Sequence, residues 1–167
     1  LAYYARFVLR FPDVQALAAA SQDDVLALWS GLGYYGRARN LHRCAQTVVA
    51  EHGGCFPRSA AGLQALPGIG RSTAAAILAQ AHGQAHAILD GNVRRVLARH
   101  HGVHGWPGQA RVQTELWRLS EAHLPQSRLA DYTRAINDLG ATLCTRSTPR
   151  CADCTLHSQF IAHRDGL

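Results

Sequence analysis

Three features of the chain are chemically competent: the turn Leu66-Pro67-Gly68-Ile69-Gly70, the carboxylate of Asp90, and the thiols of Cys144, Cys151 and Cys154. In the first group, proline fixes the entry dihedral and two glycines permit a backbone turn that side chains would obstruct. Such a turn aims amide N–H groups outward at the start of the next helix, whose dipole also favours an anion. A DNA phosphate could be gripped there regardless of base sequence, and Arg71 adds a cation beside it. The same pattern also serves as an ordinary tight turn between helices.

Asp90 stands at a predicted helix start among the apolar Ile88, Leu89 and Val93. Taken alone, such a residue reads first as an N-cap. The clustered thiols follow the pattern Cys144-x6-Cys151-x2-Cys154, whereas Cys44 and Cys55 stand apart and read as inert. Clustered cysteines without a secretory leader point to metal rather than to disulfides.

The 17 basic residues outnumber the 11 acidic ones, giving +6 with histidines neutral. That surplus suits a polyanionic partner, although ordinary domains carry as much. Every basic residue is arginine, so the chain offers no lysine amine as a Schiff-base nucleophile. No apolar run approaches the roughly 20 residues of a membrane span, and the chain reads as cytoplasmic with no membrane contact. Tyr3, Tyr4, Phe7 and Val8 begin in mid-pattern at helical spacing, which reads as a fragment of a longer protein.

Helices must position these groups, because no alternating pattern persists long enough for a sheet. Phe11-Pro12-Asp13 breaks a first helix. Ser21 caps a second, which runs through Trp29 and ends at Gly31-Leu32-Gly33. A longer helix runs from Tyr35 to His52 and stops at Gly53-Gly54. Shorter ones are predicted over 58–65, 71–82, 92–101, 109–123 and 129–143, ahead of a cysteine-rich loop. The fold class is all-α.

The segment Ile88-Leu89-Asp90-Gly91-Asn92-Val93-Arg94-Arg95-Val96 follows the hairpin at a spacing that resembles the endonuclease III superfamily of DNA glycosylases. Three segments narrow the resemblance to its adenine-glycosylase branch, the MutY family. They are Gly31-Leu32-Gly33-Tyr34-Tyr35-Gly36-Arg37-Ala38-Arg39-Asn40-Leu41, Leu89-Asp90-Gly91-Asn92, and Asp138-Leu139-Gly140-Ala141-Thr142-Leu143-Cys144-Thr145. The likeness is nearly collinear from about Tyr4 to Ala162.

The resemblance implies a helix-hairpin-helix glycosylase fold. A helical barrel domain over 1–84 would carry the hairpin, and a domain over 85–167 would carry Asp90 and the cysteine loop, with a cleft between them. It also implies base excision repair: a monomer that hydrolyses the glycosidic bond of adenine mispaired with 8-oxoguanine or guanine in double-stranded DNA. Asp90 would be the catalytic carboxylate, stabilising positive charge that builds on the sugar as the base leaves. Asn92 would be its polar support. Ser72 takes the place of the lysine nucleophile of the strand-nicking relatives, and either lines the base pocket or begins a helix. Tyr34 would be an aromatic wedge in the base stack, which helps offset the cost of flipping a nucleotide out. Tyr35 would pack. Arg37 and Arg39 are phosphate contacts or solvated helix charges, and Arg94 is assigned to DNA contact. Two other readings stay open: a non-catalytic helix-hairpin-helix DNA-binding module, and an oxidised-pyrimidine glycosylase with lyase activity.

In the family the cysteine run continues by five residues to a fourth cysteine and holds a four-iron four-sulfur cluster. Phe160 stands at that position here. A cluster with His157, His163 or solvent as fourth ligand, a zinc site of the three cysteines and His157, and a metal-free loop filled by Phe160 are the alternatives. Any metal would be structural, supporting a loop whose Arg146 and Arg150 face DNA. The family's second acid is a glutamate on a helix before the position of Leu1, where it protonates the departing adenine. Its 8-oxoguanine-reading domain lies beyond the position of Leu167. Glu51, Glu115 and Glu121 suggest no substitute acid, so the chain alone is expected to bind DNA weakly and excise poorly.

Overall fold

A computed structural model describes residues 2–166, and among these there is no strand. The all-α expectation holds. The chain divides into two compact units, 1–70 and 71–167.

The first unit contains α1 (Ala2–Arg10), α2 (Val14–Ala19), α3 (Gln22–Trp29), α4 (Tyr35–His52) and α5 (Ala60–Gln64). Asp13 acts as more than a breaker. Its carboxylate accepts from the Ala16 amide at 2.7 Å and starts α2, a short helix that apolar spacing alone does not reveal. Ser21 caps α3 as expected, accepting from Asp24 N at 3.1 Å. α4 buries Ala38, His42, Cys44, Ala45 and Val48 as a stripe at helical spacing, and α2 and α3 pack on it. Phe11, Leu17, Val25, Ala38 and Ala45 form the centre of this core.

The second unit contains α6 (Arg71–His82), α7 (Gly91–His101), α8 (Ala110–Ala122) and α9 (Leu129–Asp138). A π-helical turn (Leu139–Leu143), two single 3-10 turns and α10 (Ile161–Arg164) complete it. Ala75, Ile88, Leu89, Val93, Leu97, Val112, Leu116 and Leu119 form its core. The partition falls at Gly70/Arg71, whereas the sequence put α6 with the first domain and the boundary at 84/85. α6 packs on α9, and Ser72 Oγ accepts from the Leu89 amide at 2.9 Å, so the helix shares the second core. The predicted helix over 129–143 changes type at Leu139. There Gly140 presses on the start of α7: a Cβ at Gly140 would lie 2.7 Å from Asn92 Cβ and 2.8 Å from its carbonyl oxygen.

Candidate active site

Asp90 is the N-cap of α7, as its position at a helix start requires. One carboxylate oxygen, Oδ1, accepts from the amides of Asn92 at 2.7 Å and Val93 at 3.0 Å. The other, Oδ2, accepts from the side-chain amide of Asn137 on α9. An ionised carboxylate offers about four acceptor positions. Three are engaged among the described residues, so the group is fixed in orientation but not saturated.

The carboxylate is half-buried at a pocket of about 300 Å³ that Ser72, Thr73, Ile88, Thr133 and Asn137 also line. Pockets for small ligands begin at roughly that size. Ile88 and Leu89 are buried and form the apolar support behind it. Ser120 Oγ donates to the Ile88 carbonyl at 2.7 Å, which pins this stretch to α8. Ser72 stands in the first turn of α6. It lines the pocket, and its hydroxyl holds the Leu89 amide one residue before Asp90.

Asn92 is drawn in from the same helix. Its side-chain amide donates to Asn137 Oδ1 at 3.5 Å, and its own Oδ1 accepts from Arg95 Nη2 at 2.9 Å. Arg95 reaches further, donating to the carbonyls of Gly140 at 2.6 Å and Cys144 at 2.7 Å. Hydrogen bonds from a guanidinium are roughly twice as strong as neutral ones. Arg95 therefore ties the carboxylate's helix to the π-helical turn and to the root of the cysteine loop. Asn137 and Arg95 were missed as site residues. Arg95 lies inside the segment 88–96 and Asn137 one residue before the segment 138–145, and neither residue type carries a signal of its own there.

Arg71 and Arg94 are two of the arginines expected at DNA. Arg71 lies over the Trp117 ring, 3.7 Å from its centroid, and pairs with Glu121 at 2.6 Å. Stacking on the indole and pairing with a carboxylate both favour that pose in the free protein. Arg94 is half-buried on α7, and its Nε has no hydrogen-bond partner among the described residues.

In the first unit, Leu66 is buried and accepts from the Ile69 amide at 3.2 Å, closing the Leu66-Pro67-Gly68-Ile69-Gly70 turn. Gly68 is required here. Its φ is +77°, and a Cβ there would lie 2.6 Å from Asn40 Cβ. Tyr34 is the N-residue of α4 with φ 49° and ψ 50°, a left-handed conformation that costs a non-glycine residue about 1–2 kcal/mol. Its side chain is 83% exposed. Such strain on an exposed aromatic gains nothing for packing, and strain of this kind concentrates at working positions. The Arg37 guanidinium lies between two rings, 5.4 Å from the Tyr34 centroid and 5.7 Å from that of Trp29. Arg39 is exposed on the same helix.

Cys144, Cys151 and Cys154 line a cavity of about 350 Å³ together with His157, His163 and Phe160. Arg99 donates to Cys144 Sγ at 3.2 Å. His157 is turned by its Nδ1, which donates to the Cys154 carbonyl at 2.7 Å. Phe160 is buried in a small core with Val96 and Cys144. Among the described residues, these thiols and imidazoles form no group of three placed to share one metal ion. A single zinc ion with Zn–S bonds of about 2.3 Å would hold its sulfurs about 3.8 Å apart, so the donors are spread more widely than one zinc ion needs.

Residues 1–122 match the family described as HhH-GPD superfamily base excision DNA repair protein. The chain is 39% identical over 160 residues to an adenine DNA glycosylase of Buchnera aphidicola subsp. Acyrthosiphon pisum, covering 96% of this chain and 46% of that protein. It is 44% identical over 157 residues to the human adenine DNA glycosylase, covering 93% of this chain and 29% of that protein. The chain thus spans less than half the length of these relatives. Among solved structures, a thermostable thymine-DNA glycosylase superposes with a TM-score of 0.83 at 24% identity, over 98% of this chain and 75% of that one. An endonuclease III in a non-covalent DNA complex gives 0.81 at 22%, with the same coverage. These last two likenesses are of fold. No helix among the described residues is long and apolar enough to cross a membrane.

Proposed function

The chain belongs to the HhH-GPD superfamily of base excision DNA repair proteins, and we propose that it forms the carboxylate-bearing part of a monofunctional adenine DNA glycosylase. The substrate in this reading is adenine mispaired with 8-oxoguanine or guanine in duplex DNA, met by a monomer at the bacterial chromosome in the cytoplasm. The N-glycosidic bond breaks with its electron pair leaving on adenine. Water then adds hydroxide to the sugar carbon and its proton ends on the base. The products are free adenine and an abasic site.

One observation carries the reading: Asp90 is oriented by the Asn92 and Val93 amides and by Asn137 at the wall of a pocket of small-ligand size. A fixed carboxylate stabilises the positive charge of an oxocarbenium-like sugar and needs no reorganisation as that charge appears. Ser72 lines the same pocket and offers no amine, and the chain contains no lysine. Water is therefore the final nucleophile, and strand cleavage through a Schiff base has no donor here. The turn at Leu66–Gly70 serves phosphate binding through its backbone, and exposed Tyr34 serves as the wedge, with Arg37 and Arg39 beside it. A four-iron four-sulfur cluster would be held by Cys144, Cys151 and Cys154, with His157 or His163 near the fourth position taken by Phe160. When bound it supplies a structural brace for the loop of Arg146 and Arg150, and no chemistry at Asp90.

The test is adenine release from a duplex with adenine opposite 8-oxoguanine, using the chain joined before Leu1 to the acid-bearing helix of an adenine glycosylase. A parallel reaction contains borohydride. Free adenine without a trapped protein–DNA adduct is expected. A trapped adduct would instead mark a lyase, and DNA binding without adenine release would mark a binding module.

A further inference from the structure

We propose that His100, His101 and His123 form a binding site for one divalent transition-metal ion of the zinc type, separate from the cysteine loop and from the Asp90 pocket. His100 and His101 are the last two residues of α7, and His123 is the residue on which α8 ends. One ligating nitrogen from each lies within 4.8 Å of the other two, and the Nε2 atoms of His101 and His123 are 2.7 Å apart. Imidazole nitrogens about 2.0–2.1 Å from a tetrahedral zinc are about 3.3 Å from one another. The trio brackets that spacing, so binding requires side-chain adjustments and no backbone rearrangement.

Three features favour a cation there. Two helices end at the site, and the carbonyl ends of helices carry partial negative charge that attracts cations. His100 and His101 are half-buried, and their pKa values are lowered, first by burial and then by the neighbouring imidazoles. Both are thus held neutral, the form that ligates. The other charged groups acting on His101 are Arg118 and Glu115, which are paired with each other at 2.6 Å and leave little net charge. Finally, the 2.7 Å contact between two ring nitrogens requires one Nε2–H to donate to the other's lone pair. A metal on both Nε2 atoms moves that proton to the Nδ1 of the donor ring, so binding to the neutral pair needs no net proton release. Three histidines leave a fourth position to water, the donor set of an open zinc site. The Phe160 ring meets His100 edge-on at 5.1 Å and also packs with Cys144, which puts an apolar side chain between the trio and the thiols.

The test is titration of chelator-treated, isotopically labelled chain with Zn(II), read by histidine-ring NMR and by calorimetry. Zinc should move the ring resonances of His100, His101 and His123 together, and His101→Gln or His123→Gln should weaken that binding at least about tenfold. A Cys144→Ser, Cys151→Ser, Cys154→Ser variant should keep it. The ring spectrum of the unmodified chain decides the matter even if that triple variant does not fold. Resonances of the trio that stay still through two equivalents of zinc, while those of His157 or His163 move, would overturn the proposal. So would trio binding that survives both histidine substitutions unchanged.

Discussion

Asn137 donates its side-chain amide to Oδ2 of Asp90 while its own oxygen accepts from Asn92. The carboxylate is therefore held from two directions: by the first amides of its own helix, and by a side chain on α9 that is distant in sequence. Removing Asn137 removes a hydrogen bond to a charged acceptor, worth about 1.5–3 kcal/mol. Under the proposed function, with the acid-bearing helix attached, Asn137→Ala should slow single-turnover adenine release by about 10- to 100-fold with DNA affinity little changed. Asn137→Asp keeps the shape and brings two carboxylates together, which should move the acid limb of the pH–rate profile to higher pH. A purely structural role for Asn137 would lower the melting temperature and leave that profile in place.

Gly140→Ala sets two effects against each other. Alanine favours a helical position over glycine by about 1 kcal/mol. Its Cβ, however, would lie 2.8 and 2.9 Å from the carbonyl oxygen and carbon of Asn92, backbone atoms that have little room to move. Overpacking of this kind costs about 1–3 kcal/mol. Because the clash is with backbone atoms it should win: thermal unfolding should show a net loss of up to about 2 kcal/mol, with adenine release falling as Asn92 is displaced.

Tyr34→Gly should separate folding from DNA binding. Relief of the left-handed backbone should offset the loss of side-chain contacts, leaving stability within about 1 kcal/mol of the parent. Loss of the exposed ring should weaken binding to a mismatched duplex, since one base–aromatic contact is worth about 1–3 kcal/mol. Denaturant unfolding and fluorescence titration on the same sample would read both.

Tyr132 supplies a pH dependence. Burial raises its phenol above the ordinary value of 10.0, and its hydroxyl has no hydrogen-bond partner among the described residues. Above pH 10 the unfolded chain loses this proton before the folded chain does. The native state then binds more protons, so stability falls as pH rises through that range. Tyr132→Phe should remove this component of the alkaline decline. At neutral pH it should leave stability equal or slightly higher, because it deletes an unsatisfied buried group. Melting temperatures of both proteins from pH 7 to 11 would test this.

Some of this architecture was legible residue by residue. Asp90 could be read as a cap from its place at a helix start, and as a site carboxylate only through the family resemblance, and Gly68 announced its turn. Asn137 carried no such signal, because an asparagine on an amphipathic helix looks like any solvated position. Its role comes from the packing of α9 on α7, a long-range event. The same holds for Gly140, which reads as a helix flaw until the start of α7 is laid against it. Asp13 looked like the end of α1 because a cap and a break use the same residue type. His100, His101 and His123 lie on two helices, and their meeting depends on how those helices end.

The central claim is that Asp90 is catalytic as well as structural, and Asp90→Asn isolates the two roles. Asparagine caps helices about as well as aspartate, so α7 should persist, while loss of the acceptor for Asn137 should lower thermal stability by no more than about 1.5–3 kcal/mol. Its side chain carries no charge to stabilise the sugar cation, a contribution of the kind whose loss costs about 10²–10³ in rate. Single-turnover adenine release from a duplex with adenine opposite 8-oxoguanine is the measurement, made on the chain with the acid-bearing helix attached. A fall of at least about a hundredfold with folding and DNA binding intact is expected, whereas an Asp90→Asn protein that releases adenine at the parent rate would show that Asp90 is only a cap.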